Sequence, residues 1–383
     1  MIAFTAKSLY TPLVRVDQPI VLVEDSRIVE VSSRGARAIP SGARVFDFAD
    51  AVLAPGMIDI HIHGGAGHDV MDADAASLPA VEGLITKHGV TSYFPTTVTA
   101  PIDQTLAALE RLAAAIEAPS NGAKRARPLG IHLEGPFISH ARKGVHPPEN
   151  LLVPSLKMFE RFWQAARGQI KIMTIAPELA GATEVIAAAA RRGVCVSVGH
   201  SDANLSSARA AVDYGARHAT HLFNAMRPLE HRDPGLLGQI LTDSRQSADF
   251  IADGIHLDPA IVKLILEAKG PEKTVLITDA TAATGMPDGI YRLGSFEVEV
   301  KEGRCTSNGR LAGSVLTMDL AVRNVMRFTG CDLQLALRLA TLNPAQVAAL
   351  PDRGRLETGA VADIVVLTAD GEIRNTIIAG EIL

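Results

Sequence analysis

The stretch Val52-Leu53-Ala54-Pro55-Gly56-Met57-Ile58-Asp59-Ile60-His61-Ile62-His63 decides how this chain is read. It is an apolar run that ends in two histidines one residue apart. In an extended strand, residues i and i+2 point to the same side. Both imidazoles therefore converge on one point, and neutral imidazole is the commonest metal ligand. Paired histidines also occur on ordinary strands, so the rest of the chain has to decide between the two readings.

Working outward, Glu134, His200, His221 and Asp279 each follow or close another short apolar run. Strands are expected over 52–63, 90–98, 129–137, 170–177, 194–200, 218–224, 250–256 and 275–279. Helical stretches at 75–88, 103–118, 155–167, 183–192, 201–214 and 259–268 alternate with them. Ser201-Asp202 and Asp258-Pro259 suit helix starts. Eight βα units in series predict an α/β fold, a (β/α)8 TIM-like barrel with its active site at the C-terminal ends of the strands. His61, His63, Glu134, His200, His221, His256 and Asp279 would then face one mouth.

The barrel is expected to occupy 51–350. Residues 1–50 and 351–383 are β-rich, and neither is long enough to bury a good core alone. The simplest solution joins both chain ends in one small β-sandwich beside the barrel. Residues 289–316 read as a hairpin-rich insertion, with Asn308-Gly309 as a turn signal. Residues 121–127, with three basic side chains, read as a solvated loop.

Composition sets the outer bounds. Over 383 residues, 47% are hydrophobic and 21% charged, ordinary for a globular protein. A net charge of −5 gives no reason to expect nucleic acid or an anionic membrane as partner. Three cysteines, Cys195, Cys305 and Cys331, lie far apart and are odd in number, which fits a reducing compartment. Cys195, between Val194 and Val196, reads as a small buried hydrophobe. The first residues lack a signal-peptide pattern and no stretch is long enough to span a bilayer. A cytoplasmic protein is expected.

The side chains gathered at the strand ends form a mixed nitrogen and oxygen set, suited to Zn²⁺ and also to Fe²⁺ or Mn²⁺. Glu134 closes the apolar strand Ile131-His132-Leu133, and a buried carboxylate there needs a cation or several donors. A salt bridge to an arginine is the competing reading. Asp279 closes Val275-Leu276-Ile277-Thr278. It reads either as a cap on a helix over 280–283 or as a general base.

These residues carry a resemblance. Pro55-Gly56-Met57-Ile58-Asp59 leads into His61-Ile62-His63-Gly64, followed by His132-Leu133-Glu134-Gly135-Pro136-Phe137 and Gly199-His200-Ser201. Then come His221-Leu222-Phe223-Asn224-Ala225-Met226, Asp253-Gly254-Ile255-His256, Thr278-Asp279-Ala280 and Leu311-Ala312-Gly313-Ser314. Together they resemble the amidohydrolase superfamily and, more narrowly, its N-acetylglucosamine-6-phosphate deacetylases.

The resemblance implies metal-dependent hydrolysis of N-acetyl-D-glucosamine 6-phosphate to D-glucosamine 6-phosphate and acetate, in amino-sugar catabolism and cell-wall sugar recycling. Glu134, His200 and His221 would hold one divalent ion, and His61 and His63, with Glu134 bridging, a second. Zinc is the expected metal, with Fe²⁺, Mn²⁺ and Co²⁺ as alternatives, one or two per subunit. Asp279 would be the catalytic acid and base, and His146 would approach the sugar or acetyl group. Asn224, Ala225 and Arg232 would meet the phosphate and His256 the sugar. Leu311, Ala312 and Gly313 would border the substrate through backbone groups. The resemblance also implies a homodimer in which Arg232 reaches the neighbouring subunit's site. His68, after Gly64-Gly65-Ala66-Gly67, is a departure that reads as an exposed loop residue. Alternatives are a deacetylase of another N-acyl amino sugar or N-acyl amino acid, or a silent sugar-phosphate sensor.

Overall fold

The computed structural model describes residues 1–74, 76–119 and 124–382. Part of the expected basic loop, residues 121–123, and the first residue of the helix expected from 75 lie outside the described residues.

Eight short parallel strands form the centre: Met57–Ile62, Val90–Thr97, Ile131–Glu134, Ile170–Ile175, Cys195–Val198, His218–Ala219, Ala248–Ile251 and Thr274–Ile277. The first six pair in sequence order, and so do the last two. Two sets of bonds close the ring. Leu222 donates its N–H to the Asp249 carbonyl between the sixth and seventh strands, and Asp279 donates to the His61 carbonyl between the eighth and first. A parallel bridge between Ile62 and Ala280 reinforces that last seam. These strands are buried on both faces, as parallel sheets covered by helices must be.

The expected strand over 52–63 is divided in two. Residues up to Pro55 belong to Arg44–Pro55, which pairs with the chain ends, and the barrel begins at Met57. Gly56 sits at the change of sheet because nothing larger fits: a Cβ there would lie 2.2 Å from Thr91 Oγ1.

Helices Ser77–Lys87, Ile102–Glu117, Leu156–Ala165, Ala182–Arg191, Leu205–Tyr214 and Pro259–Lys269 lie where helical stretches are expected. Asp258 caps the last of them through Ala260 N–H. The fifth is capped by Asn204 rather than by Ser201 or Asp202, because the Ser201 hydroxyl is spent on Glu178, 2.7 Å away. Helix Gly235–Thr242 has no expected counterpart, since its two glycines weaken the helical signal. Met318–Thr329, Leu333–Ala340 and Leu342–Val347 likewise fill a stretch without an expected element.

Both chain ends enter one sheet. Arg44–Pro55 runs parallel to Ile2–Tyr10 and antiparallel to Ile364–Leu367. Pro19–Glu24, Arg27–Ser33 and Ile373–Ile378 extend it on either side. Residues 289–311 form a four-stranded antiparallel meander, with Asn308 and Gly309 both at positive φ in its last turn. This meander packs Leu293, Val298 and Cys305 against Val98 at the barrel mouth. Among the described residues, no helix is long and apolar enough to cross a membrane.

Candidate metal centre and active site

His61 and His63 lie at the end of the first strand, and Glu134 ends the third. His200, His221 and Asp279 each stand two residues past a strand, with φ of +46°, +32° and +52°. The left-handed region is uncommon for residues other than glycine and costs about 1–3 kcal/mol each when sustained. Neighbouring bonds hold it. Asp279 N–H is fixed on His61, Ser139 N–H donates to the His200 carbonyl, and the Asp249 carboxylate accepts from His221 N–H. Asp249 is itself buried and accepts from His218 Nε2 at 2.9 Å. The strand ends thus turn sharply and aim three side chains inward.

The result is two clusters that share one carboxylate. Glu134 Oε1 lies 3.1 Å from His221 Nε2 and 3.3 Å from His200 Nε2. Its Oε2 lies 3.4 Å from His61 Nε2 and 3.3 Å from His63 Nε2. Asp279 Oδ1 joins the second cluster, 3.1 Å from His63 Nε2 and 3.5 Å from His61 Nε2. His200 and His221 stand 3.0 Å apart through Nε2, and His61 and His63 3.2 Å apart. Among the described residues no arginine or lysine takes part, so the salt-bridge reading of Glu134 fails. No helix follows Asp279, so the capping reading fails as well.

These donor sets fit a divalent ion. His63 Nδ1 faces the Thr96 carbonyl and His200 Nδ1 the Arg142 carbonyl, both at 3.0 Å. A carbonyl only accepts, so each Nδ1 carries the proton and each Nε2 turns a lone pair inward. Lone pairs of nitrogen and carboxylate at 3.0–3.5 Å repel unless positive charge lies between them. The protonation balance says the same. Burial alone would lower His221, yet hydrogen bonding to Glu134 and its charge push it up to about 9. His63 is likewise raised well above the usual histidine value, against burial, by Asp279 and Glu134. Burial would raise Glu134, but the charge of His61 and bonds to His200 and His221 hold it well below the usual carboxylate range. The negative charge that favours protons here suits a cation in the same place.

Above the clusters opens a pocket lined by the polar side chains of His63, Glu134, His146, His200, His221, Asn224, His256 and Asp279, with Ala225 beside them. Leu311 and Gly313 border it, as do Val98, Gly144, Val145 and Leu293, which carry no polar signal in the sequence. His256 presents Nδ1 to Asp253, 2.7 Å away. His61 is fully buried beneath the rim. Ala312 is buried too and does not line the pocket; its N–H donates to the Cys305 carbonyl. Arg232 is exposed and outside the pocket of its own chain. His68 stays out of the pocket in a short turn paired with Gly65, and His132 is satisfied by Ile60 and Thr174 behind His61.

Residues 52–383 match the Amidohydrolase family. The N-acetylglucosamine-6-phosphate deacetylase of Bacillus subtilis (strain 168) is 39% identical over 366 residues, covering 94% of this chain and 91% of its own. The chain is an amidohydrolase, of the N-acetylglucosamine-6-phosphate deacetylase family. The human deacetylase is 41% identical, over 88% of this chain and 84% of its own. The crystal structure of the Mycobacterium smegmatis deacetylase superposes with a TM-score of 0.92 at 36% identity, covering 100% of both chains. Barrel, chain-end sheet and meander of this amidohydrolase are thus all spanned by that likeness. The carboxylate and imidazole groups of its mouth are those that a metal-dependent hydrolase of amides requires.

Proposed function

We propose that this chain hydrolyses the acetamide of N-acetyl-D-glucosamine 6-phosphate, giving D-glucosamine 6-phosphate and acetate. The observation that carries the reading is the pair of buried clusters joined by Glu134 at the floor of the pocket, in a chain of this family. Glu134, His200 and His221 would hold one divalent ion; His61 and His63, with Glu134 Oε2, would hold a second. Zinc suits this nitrogen and oxygen set best. When bound, such an ion supplies Lewis acidity that makes water a nucleophile near neutral pH.

The chain's own groups supply the rest. Asp279 is ionised, because the charge of His61 and the His63 bond outweigh its burial. Its carboxylate takes the proton from the attacking water and returns it to the amine nitrogen as the C–N bond breaks. His146, at the pocket wall, faces the acetamide oxygen. Asn224, Ala225 and His256 bind the sugar phosphate, and the backbone at Leu311 and Gly313 borders it.

Among the described residues, no lysine or arginine lines the pocket. A phosphate dianion needs such a cation, which supports a homodimer in which Arg232 of one copy completes the site of the other. The sheet that joins both chain ends we read as a β-sandwich. Phe4, Val21, Leu53, Ile364 and Ile377, from five strands of one sheet, share one buried cluster, as they would if that sheet folds over on itself. Three free cysteines agree with a cytoplasmic location.

The test is acetate release from the metal-loaded protein with N-acetylglucosamine 6-phosphate and with unphosphorylated N-acetylglucosamine. Release only from the phosphorylated sugar supports both the chemistry and the phosphate subsite. Release from neither moves the reading to another N-acyl amide.

A further inference from the structure

His146 differs from His63, His200 and His256 in what faces its Nδ1. His63 and His200 present Nδ1 to carbonyl oxygens, and His256 presents Nδ1 to a carboxylate. All three partners are acceptors, which leaves the proton on Nδ1. His146 Nδ1 instead lies 3.3 Å from the backbone N of Thr99 and 2.8 Å from Thr99 Oγ1. A backbone N–H can only donate, so here Nδ1 has to accept. The reverse tautomer would set an N–H against an N–H and leave the Thr99 amide without that acceptor, at a position only 1% exposed. Orphaned buried amides of that kind are rare.

The surroundings are cut to this pair. Gly135, directly after Glu134, has φ +72°, and a Cβ there would lie 2.3 Å from Thr99 Oγ1 and 3.7 Å from His146 Nδ1. The third strand is therefore followed by a residue that leaves space for the threonine hydroxyl. On the far side of the ring, His146 Nε2 stands 3.9 Å from Glu134 Oε2, at the edge of the pocket floor.

We propose that Thr99 is a positioning residue: it fixes His146 in the tautomer with the proton on Nε2, so that a neutral imidazole donates a hydrogen bond into the pocket. The group that takes this bond is an sp² oxygen that gains negative charge, the acetamide carbonyl under the function proposed above, on which this assignment of the acceptor rests. Such a donor, held in place before reaction, stabilises the developing oxyanion. The other tautomer would turn a lone pair toward the same oxygen and toward Glu134.

The tautomer is read directly by nitrogen NMR on zinc-loaded protein with isotope-labelled histidine, the His146 signals being assigned by their loss in His146→Gln. A proton on Nε2 and an unprotonated Nδ1 are expected. A proton on Nδ1 overturns the proposal. This measurement needs no turnover, so it stands apart from failure of the deacetylase reading. In the kinetic arm, Thr99→Val deletes one of the two donors and Thr99→Ser keeps it. Thr99→Val should lower kcat about tenfold with KM and metal content unchanged, short of the roughly 10²–10³-fold loss on deleting an oxyanion donor outright. Thr99→Ser should restore it. A change in KM alone, or a serine variant as poor as the valine one, would mark Thr99 as packing and overturn the proposal.

Discussion

Thr278, directly after the eighth barrel strand, donates its hydroxyl to Asp59 Oδ2 on the first, at 2.5 Å. The same carboxylate accepts from His61 N–H through Oδ1 at 3.2 Å. One fully buried side chain therefore ties the barrel seam and sets the backbone at His61. Asp59→Ala leaves buried donors unpaired, which costs about 1–3 kcal/mol for each such group. A lower Tm together with reduced metal content in the purified protein is expected. An unchanged Tm would show that the seam does not depend on this contact.

Asp279→Asn keeps an oxygen within reach of His63 but cannot accept the proton. Metal content should stay near that of the parent protein, while kcat falls by about 10²–10⁴-fold, the usual contribution of a positioned acid–base group. Full activity in this variant would refute the acid–base role. The measurement pairs elemental analysis with acetate release.

Glu134 serves both clusters, so Glu134→Ala should empty the site rather than weaken one half of it. Chelator treatment of the parent protein should give the same metal-free state. Because a ligand that binds only the folded chain stabilises it, Tm should drop on chelation and recover when zinc is added back. Normal metal content in Glu134→Ala would remove it from the ligand set.

Arg232→Ala tests the interface reading. Truncating one partner of a hydrogen-bonded charge pair costs roughly 2–5 kcal/mol, which raises KM for the phosphorylated sugar by about 30-fold or more. Metal content should not move, and sedimentation should find a dimer. An unaltered KM with the phosphorylated sugar would assign the phosphate to other groups.

Burial pushes the Cys305 thiol up to about 11. A thiol so far from ionising is a poor nucleophile near neutral pH. Cys305 should resist alkylation in the folded protein and react once it is unfolded. Mass spectrometry of alkylated peptides decides this, and rapid labelling of native Cys305 would contradict its place under the meander.

Much of the fold was legible because a barrel strand buried on both faces is a short apolar run, and helices between such runs keep their caps and glycine stops. All eight strands were visible in this way. The division at Gly56 was not. Val52–Pro55 and Met57–Ile62 run on as one largely apolar stretch, and their pairing partners, Leu9 and Leu367 on one side and Val90 to Pro95 on the other, separate them. The sixth strand was read too long because the residues that leave it, Thr220 to Asn224, carry the same apolar signal as those within it. Val98, Val145 and Leu293 were missed for a related reason, since an apolar residue lining a pocket is indistinguishable in sequence from one filling a core.

The sequence by itself determined which chemistries the chain holds. His61 and His63 share a strand face through a spacing of two, and Glu134 and Asp279 close apolar strands where a carboxylate needs a cation or donors. It also determined the βα alternation that sends each strand end the same way. Only the tertiary structure decided the distances. Glu134 and His221 are 87 residues apart along the chain and meet at 3.1 Å, because curvature of a closed sheet brings the third and sixth strand ends to one floor. The contact between His146 and Thr99, 47 residues apart, likewise exists only in the folded chain. Residue type and local period are written along the chain. Convergence of side chains belongs to closure of the barrel, which no local pattern encodes.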